Sequence, residues 1–365
     1  MKKFLALLLS LALCMTAFAA LAEDMRVAMI TDYGDITDQS FNQTTYEAAK
    51  AYCEANGVDF TYYKPAGDST AERVAMVEKA VDEDYNVLVL PGYAFGETIA
   101  EVQGEYPDTK FIALDVSAFD LGDGVEPAAN VYCAVYQEEL CGYMAGYAAV
   151  KLGYTHLGFL GGMAVPAVVR YGFGFVQGAD AAAVELGKAG DVTIEYVYGN
   201  QFYGDADITA YMDNWYQTMG VQVVFACGGG IYSSAAEAAA KVEGAKVIGV
   251  DVDQAAIIDG QYGAGLTVTS AMKGLAATVN TMLSEVAADN WANYGGQVAT
   301  LGLVGTDPVA NYVQIAPSTQ FADGFTADDY AALVGKMFNG EVTVSNAIDA
   351  MPATTVTVND RGAVK

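Results

Sequence analysis

The sequence predicts an α/β protein made of two lobes, each a parallel sheet with helices on both faces. The first observation is that short apolar runs, from "MRVAMIT" at residue 25 to "KFIALDV" at residue 110, alternate with helical stretches. The second is that the pattern restarts after the long helix "QEELCGYMAGYAAVKLG", with the strands "HLGFLGG", "VTIEYVYGN", "VQVVFACGGG" and "KVIGVDVD". Such alternation is typical of parallel βαβ units. Its repetition predicts two Rossmann-like lobes joined by a hinge.

The N-terminal segment 1–22, "MKKFLALLLSLALCMTAFAALA", has two lysines, an apolar run and a small-residue ending. This pattern predicts a secretory signal peptide that is cleaved after Ala22. "LALC", ending at Cys14, resembles a lipobox, which leaves acylation of that cysteine as the alternative. No later stretch is long and apolar enough to span a bilayer. We therefore expect an exported protein, periplasmic or at the cell surface, with lipid anchoring as the alternative.

Charge and rare residues exclude several functions. The formal net charge of −28 disfavours nucleic acid and anionic membrane surfaces as partners. The single histidine, His156, begins a predicted strand and excludes clustered histidine metal sites. Export permits disulfides among the four later cysteines, but buried free thiols are an equal alternative in a chain of this length. These cysteines are Cys53, Cys133, Cys141 and Cys227. We expect no metal, no cofactor and no catalytic set.

Polar and aromatic residues follow the predicted strands. In open parallel sheets, ligands bind beyond the carboxyl ends of the strands. The residues at those positions are Asp32, Pro91–Gly92, Asp115, Gly161–Gly162, Phe202, Gly228–Gly230 and Asp251. Carboxylates, glycines and rings together predict a cleft for an uncharged, flat molecule that carries hydroxyl groups.

The turn "DYGDITDQSFN", residues 32–42, is the most informative loop. Asp32 directly follows a strand, where a carboxylate can accept a hydrogen bond from a ligand, whereas Asp38 is favoured as a helix cap. Phe41 has polar neighbours, Ser40 and Asn42, so ligand stacking is favoured over a hydrophobic staple.

Three later positions are also candidates. Phe202 lies in a polar surround, "GNQFYGDAD", with Tyr203 as an alternative ring, and "CGGG" at Gly228 favours close backbone approach to a neutral ligand. Asp251 ends an apolar run. Lys273, in "TSAMKGL", is predicted to open a helix, where the dipole does not stabilise a cation. That position suggests a partner such as Asp251 or a sugar oxygen.

Several of these motifs together carry a family resemblance. "DYGDITDQSFNQTTYEAAK", "ELCGYMAGYAAVKLGYTHLGFLGG" and "VVFACGGGIYSSAAEAAA" followed by "VIGVDVDQ" resemble the basic-membrane-protein family. Its members are ABC-transporter substrate-binding lipoproteins, also called PnrA-like purine nucleoside receptors. The resemblance runs from about residue 25 to about residue 285, whereas the tail beyond about residue 300 adds little to it.

The resemblance implies a type I periplasmic-binding-protein fold with three crossings between its lobes. "GLTVTSAMKGLAATVNTMLSEV" would then return to the first lobe. The expected domains are residues 23–134 plus 263–295 for the N-terminal lobe, and residues 135–262 plus 296–365 for the C-terminal lobe.

The resemblance also implies a ligand and roles for residues. Phe41 and Phe202 would hold a purine between two rings, and Asp32 and Asn42 would bind the edge of the base. The sugar would be held by Asp115, Asp251 and Lys273. Gln201 departs from the family pattern, which often has serine there.

The expected function is that of an extracytoplasmic binding protein that takes a purine nucleoside between two lobes and delivers it to an ABC permease. We expect a monomer with no nucleic-acid partner. A ribose-like sugar receptor of the same fold is one alternative. A nucleoside or glycoside hydrolase is the other, because paired carboxylates in a cleft also suit glycoside hydrolysis.

Overall fold

A computed structural model describes residues 25–365, and the predicted signal peptide and Cys14 lie outside this range. The strands are β1 (Arg26–Ile30), β2 (Asp59–Tyr63), β3 (Val87–Pro91), β4 (Lys110–Leu114), β5 (Val131–Tyr136), β6 (His156–Gly161), β7 (Thr193–Tyr198), β8 (Val223–Cys227), β9 (Lys246–Asp251), β10 (Thr267–Lys273), β11 (Gln297–Leu301), β12 (Val313–Ile315) and β13 (Thr357–Ala363).

The α-helices are α1 (Phe41–Asn56), α2 (Thr70–Asp82), α3 (Phe95–Val102), α4 (Glu138–Lys151), α5 (Pro166–Glu185), α6 (Ala206–Asp213), α7 (Tyr232–Ala239), α8 (Ala255–Tyr262), α9 (Leu275–Ala287) and α10 (Ala327–Phe338). A π-helical segment, Asn214–Met219, continues α6.

The chain divides into two compact units. The first contains the described residues up to Ile36, Asn42–Val135 and Leu275–Thr300. The second contains Thr37–Phe41, Tyr136–Gly274 and Leu301–Lys365. The short segment Thr37–Phe41 therefore groups with residues far from it in sequence, which places Ser40 and Phe41 in the second unit.

The first unit is built on a sheet with the strand order β11-β5-β4-β3-β1-β2. Strands β1 to β5 pair in parallel, and β3 is buried along its whole length. Parallel strands covered on both faces read as continuous apolar runs, which is why "VLVLP" forms a central strand. Leu88, Phe95 and Phe111 belong to the hydrophobic cluster that packs one face of this sheet.

The second unit is built on a sheet with the order β12-β10-β9-β8-β6-β7-β13. All its pairings are parallel except that of β10 with β12. Trp215, Ile208 and Val224 lie in the cluster on one face of the sheet. Two largely parallel sheets with helical connections confirm the predicted α/β class.

One predicted connection is wrong. The resemblance placed residues 263–295 together in the first lobe, but β10 pairs in parallel with β9 inside the second sheet. Helix α9 alone, after Gly274, belongs to the first unit. Residues Thr267–Ala271 of this strand are all buried, and their side chains are small or β-branched, which suits a strand inside a parallel sheet. The remaining domain limits stay predictions.

The tail beyond residue 300 contributes both edges of the second sheet. β12 pairs with β10, and β13 pairs with β7 from Thr357 opposite Thr193 to Ala363 opposite Tyr198. Helix α10 begins with a capping box in which Thr326 and Asp329 exchange hydrogen bonds. The tail is thus an integral part of the second unit.

Helices α4 and α5 cross at backbone contact. A Cβ atom on Gly146 would lie 2.0 Å from the carbonyl oxygen of Phe175, and one on Gly178 would lie 2.0 Å from that of Tyr143. Only glycine permits this approach, because a real Cβ needs more than 3 Å from a backbone oxygen. The crossing holds Glu138 and Arg170, near the N-termini of the two helices, side by side.

We expect Gly146→Ala to destabilise the second unit by about 1–3 kcal/mol, the usual cost of overpacking, because neither backbone can retreat. Gly190→Ala is the matched control, since nothing lies within 4 Å of the Cβ that it adds. Thermal unfolding followed by circular dichroism measures both. Equal melting temperatures for the two variants would contradict the close crossing.

Candidate ligand-binding site

Asp32 and Asn42 lie together in the first unit, and both side chains are buried. Asp32 Oδ1 accepts hydrogen bonds from the backbone N–H groups of Tyr33, at 2.6 Å, and Gly34, at 2.7 Å. A Cβ on Gly34 would lie 2.1 Å from Asn42 Nδ2 and 3.1 Å from Asp32 Oδ1. The missing side chain at Gly34 therefore allows the carboxylate and the amide to share one side of this turn.

Gly92, after β3, completes this cradle from the neighbouring strand. Its φ angle is +121°, and a Cβ there would lie 2.7 Å from Asp32 Oδ2. The strand-end positions chosen from the sequence thus meet at one edge of the first sheet. Asp32 has turn hydrogen bonds of its own, so part of its role is structural.

Asp115 and Asp251 occupy corresponding places at the ends of β4 and β9. Both have left-handed backbones, with φ angles of +60° and +65°. Among residues other than glycine, aspartate and asparagine tolerate this region best. Backbone strain of this kind concentrates at functional sites. The Asp115 N–H donates to the Ala134 carbonyl oxygen at 2.7 Å, which fixes the turn.

Lys273 does not open a helix, as the sequence predicted, but ends β10, and α9 starts two residues later. Its side chain is only 3% exposed. The ammonium lies 3.4 Å from Glu138 Oε1 and 3.9 Å from Asp251 Oδ1. The Lys273 ammonium is buried in the second unit, and a buried lysine requires carboxylate partners such as Glu138 and Asp251.

Three aromatic rings surround the same ammonium. Lys273 Nζ lies 4.9 Å from the ring centre of Phe41, 5.3 Å from that of Tyr136 and 5.6 Å from that of Tyr171. Cations within about 6 Å of an aromatic face are attracted to it. The half-buried ring of Phe41 and the buried ammonium therefore form one polar and aromatic surface.

Glu138 links two cations. Its Oε1 faces Lys273, and its Oε2 accepts a hydrogen bond of 2.6 Å from Arg170 Nε. Glu138 is fully buried, so its charge requires both partners. Asp251, the second carboxylate, accepts a 2.5 Å hydrogen bond from Ser40 Oγ. Two cations and two carboxylates balance, which makes this cluster close to neutral.

Sequence reasoning missed part of this cluster, namely Ser40, Tyr136, Glu138, Arg170 and Tyr171. The adjacent acids in "QEEL" are a weak signal, since carboxylates at a helix start are common for dipole reasons. Glu138 and Lys273 are 135 residues apart, and no local periodicity connects them.

The Phe202 ring rests on glycine. A Cβ on Gly162 would lie 2.4 Å from a ring carbon of Phe202, and one on Gly228 would lie 2.8 Å from the same carbon. Gly228 also has a φ angle of +143°. The "CGGG" turn therefore makes room for Phe202, a reason that the sequence did not reveal. A direct contact between Gly228 and a ligand stays a prediction. Tyr203, the alternative ring, is 63% exposed.

The structure thus groups the predicted residues in three sets. Asp32 and Asn42 share a turn in the first unit, which also contains Asp115. Phe41, Asp251 and Lys273 form one cluster in the second unit. Phe202 and Gly228 form another contact there. The predicted cap, Asp38, accepts a hydrogen bond from the Ser40 N–H just before α1.

Within residues 25–365, four cysteines are unpaired and buried: Cys53, Cys133, Cys141 and Cys227. Burial raises the pKa of the Cys53 and Cys133 thiols to about 12, so both are protonated at neutral pH. The same range contains no group of three or more histidine, cysteine, aspartate or glutamate side chains arranged to hold a metal ion.

Glu139, next to Glu138 at the start of α4, is 3% exposed. Burial raises the pKa of its carboxyl group from 4.5 to about 7, and the charge of Glu138 adds to the shift. Its Oε2 atom has no hydrogen-bond partner among the described residues. Below pH 7 the protonated form of Glu139 predominates and adds no charge to the buried cluster.

We expect Glu139→Gln to stabilise the protein increasingly as pH rises from 4.5 to about 7. Below pH 4.5 the carboxyl group is protonated in both folded and unfolded chains, so the variant gains nothing. Above that pH the unfolded chain ionises first, and the wild-type protein loses stability until the folded pKa is passed. Melting temperatures across this pH range measure the difference.

The control is Glu243→Gln, which removes an exposed carboxylate of the same unit. Its melting temperature should follow that of the wild-type protein at every pH. A stability difference for Glu139→Gln that does not vary with pH would show that the folded carboxyl group titrates normally.

Comparison with known proteins identifies the family. The family model described as Bmp, ABC transporter substrate-binding protein PnrA-like, matches residues 25–310. Two relatives have moderate identity to this chain. The ABC transporter nucleoside-binding protein BmpA of Lactococcus lactis is 26% identical over 243 residues, and the basic membrane protein A1 of Borrelia garinii is 25% identical over 292 residues. These alignments cover 63% and 77% of this chain, and 65% and 78% of the relatives.

A Listeria monocytogenes protein called CD4+ T-cell-stimulating antigen is 29% identical over 245 residues, which is 64% of each chain. The alignments with BmpA and with this antigen thus span a little under two thirds of those relatives' lengths.

Solved structures share the fold. An ABC transporter solute-binding protein from Aeropyrum pernix superposes with a TM-score of 0.67 at 21% identity, covering 88% of this chain and 87% of that one. Another, from Conexibacter woesei, has a TM-score of 0.66 at 23% identity, covering 88% and 99%. They confirm the predicted type I periplasmic-binding-protein fold. Because the family model matches most of the sequence, the chain belongs to the Bmp family of PnrA-like ABC transporter substrate-binding proteins.

Proposed function

We propose that the protein binds a purine nucleoside, of the inosine, guanosine or adenosine type, for an ABC importer. The observation that carries the proposal is the cluster in which Lys273 and Asp251 meet beside the half-buried ring of Phe41. It offers a cation, a carboxylate and an aromatic face within a few ångströms. A sugar hydroxyl can donate to the carboxylate and accept from the ammonium, while a base stacks on the ring.

The base contacts follow from the shape of a purine, which has two apolar faces and a polar edge. We assign the faces to Phe41 and Phe202, and the edge to Asp32 and Asn42, whose carboxylate and amide lie together. We assign the sugar to Asp115, Asp251 and Lys273. Asp115 and Asp251 lie at the ends of β4 and β9, each the fourth strand of its unit in chain order, and both have a left-handed backbone. This correspondence supports a shared role.

The charge balance favours a nucleoside over a nucleotide. Lys273 and Arg170 are already paired with Glu138 and Asp251, so neither of these two cations is left to neutralise a phosphate. Asp32 adds a further carboxylate to the proposed ligand contacts. A dianionic phosphate beside these carboxylates would be repelled, whereas neutral hydroxyl groups would be well matched.

The relative named BmpA is described as nucleoside-binding, which supports the same ligand class. We further propose that the chain is exported, acts as a monomer and delivers its ligand to a membrane permease. Within the described residues, no helix combines the length and the apolar character needed to cross a membrane.

We expect Phe41→Ala to weaken inosine binding about tenfold to a hundredfold, because base–aromatic stacking contributes roughly 1–3 kcal/mol per base. Phe41→Trp should largely keep the affinity, since it preserves a flat ring. Isothermal titration calorimetry with inosine measures both variants. If Phe41→Ala leaves the affinity intact and lowers the melting temperature of the ligand-free protein instead, Phe41 is a packing residue.

We expect Asp251→Asn to weaken inosine binding by about 2 kcal/mol and hypoxanthine binding much less, because hydrogen bonds to a charged group contribute roughly 1.5–3 kcal/mol. Asparagine also tolerates the left-handed backbone of this position. The matched control is Ser40→Ala, which removes the hydroxyl partner and keeps the carboxylate.

Calorimetry with inosine, hypoxanthine and ribose separates the candidate functions. Equal losses for inosine and hypoxanthine in Asp251→Asn would place this residue away from the sugar. Tight binding of ribose with no binding of inosine would favour a sugar receptor. Release of free hypoxanthine from inosine during the titration would indicate a hydrolase.

A further inference from the structure

Residues 355–365, here called the strap, end on the loop that carries Phe202. Strand β13 within the strap pairs in parallel with β7, and the Val364 N–H donates to the Tyr198 carbonyl oxygen at 2.8 Å. β7 runs directly into the loop at residues 199–205. The family model stops at residue 310, so the strap lies outside the family match, whereas β7 and the Phe202 loop lie inside it.

The strap is firmly attached along its length. Asp180 Oδ1 on α5 accepts hydrogen bonds from the Thr355 N–H, at 2.7 Å, and the Val356 N–H, at 2.9 Å. Farther along, Glu195 on β7 is 2% exposed and accepts from Asn359 Nδ2 at 2.8 Å and Arg361 Nε at 2.7 Å. The charge of Arg361 and these hydrogen bonds lower the pKa of Glu195 despite its burial.

The last residue of the strap then contacts the Phe202 loop at one residue before Phe202 and one residue after it in the sequence. The carbonyl oxygen of Lys365 accepts a hydrogen bond from Asn200 Nδ2, and its ammonium pairs with Asp205. Asn200 has a left-handed backbone, with a φ angle of +58°, and Asp205 is the N-cap of α6. The two contacts therefore join the points where the loop leaves β7 and enters the helix.

This attachment matters because the loop backbone carries the Phe202 ring to its place beside Gly162 and Gly228. Gly162 and Gly228 offer a flat surface without side chains that could interlock with the ring. The loop backbone is held in several places, among them the 2.8 Å hydrogen bond from the Gly230 N–H to the Phe202 carbonyl oxygen, the 3.0 Å hydrogen bond from the Asn200 N–H to the Gly162 carbonyl oxygen, and the strap. An ordered ring loses less conformational entropy when a base stacks on it.

We propose that the strap positions Phe202 for stacking, with Lys365 and Arg361 as positioning residues that do not touch the ligand. This inference rests on the proposed function, in which Phe202 contacts a purine. Because hypoxanthine and inosine both contain the base, loosening the strap should weaken the binding of both equally. Loss of a sugar contact would instead affect inosine more.

The first measurement needs no ligand. Hydrogen exchange, read by mass spectrometry, should be about two- to fivefold faster at residues 200–204 in Lys365→Ala than in the wild-type protein, the range expected for an exposed ion pair. Lys365→Arg should restore slow exchange by keeping the charge. Arg361→Ala should speed exchange in both the strap and the loop. Lys188→Ala, at an exposed lysine of the same unit, is the control without effect.

The second measurement is calorimetry with inosine and hypoxanthine. Lys365→Ala should weaken the binding of both ligands by about the same two- to fivefold. This loss should disappear in a Phe202→Ala background, because the strap is proposed to act on binding only through the Phe202 ring. Equal losses with and without Phe202, or unchanged exchange at residues 200–204, would overturn the proposal. If the wild-type protein binds neither ligand, the nucleoside function fails, while faster exchange in Lys365→Ala would still support the hold of the strap on the loop.

Discussion

The buried ammonium of Lys273 requires compensating charge, and the arrangement of the second unit provides it. A cation without partners costs several kcal/mol in a protein interior. Glu138 supplies one carboxylate from the start of α4, and Asp251 supplies another from the end of β9. Glu138 in turn needs Arg170 on α5. The cluster therefore depends on the α4–α5 crossing, and through Asp251 and Ser40 it reaches the segment that carries Phe41.

In the second unit, glycine allows close approaches at the α4–α5 crossing and beneath Phe202 that no larger residue would permit. At the α4–α5 crossing, backbone meets backbone, and this contact sets the spacing between Glu138 and Arg170. Beneath Phe202, Gly162 and Gly228 leave room for an aromatic ring. In both places, glycines on one element determine where a side chain on another element can lie. A substitution at these glycines would therefore displace the groups that pack against them.

The two sheets share the types of residue at their strand ends but differ in the number of strands. In each, an aspartate with a left-handed backbone follows the fourth strand, and glycine-rich turns follow its neighbours. The second sheet is larger because the tail adds β12 at one edge and β13 at the other. A strand that covers an edge removes unpaired backbone groups, and here its end also reaches a loop proposed to bind the ligand. One segment therefore both pairs with the edge of β7 and contacts the loop that follows β7.

The sequence by itself determined the α/β class, the strands and most of the strand-end positions, because buried parallel strands are continuous apolar runs and ligands meet the loops after them. It also determined the family, through motifs such as "DYGDITDQSFN". Only the tertiary structure decided that Lys273 ends a strand beside Glu138, that Gly228 supports Phe202 and that β13 pairs with β7. These partners are far apart in sequence, and local periodicity describes one element at a time, so it cannot specify which elements become neighbours.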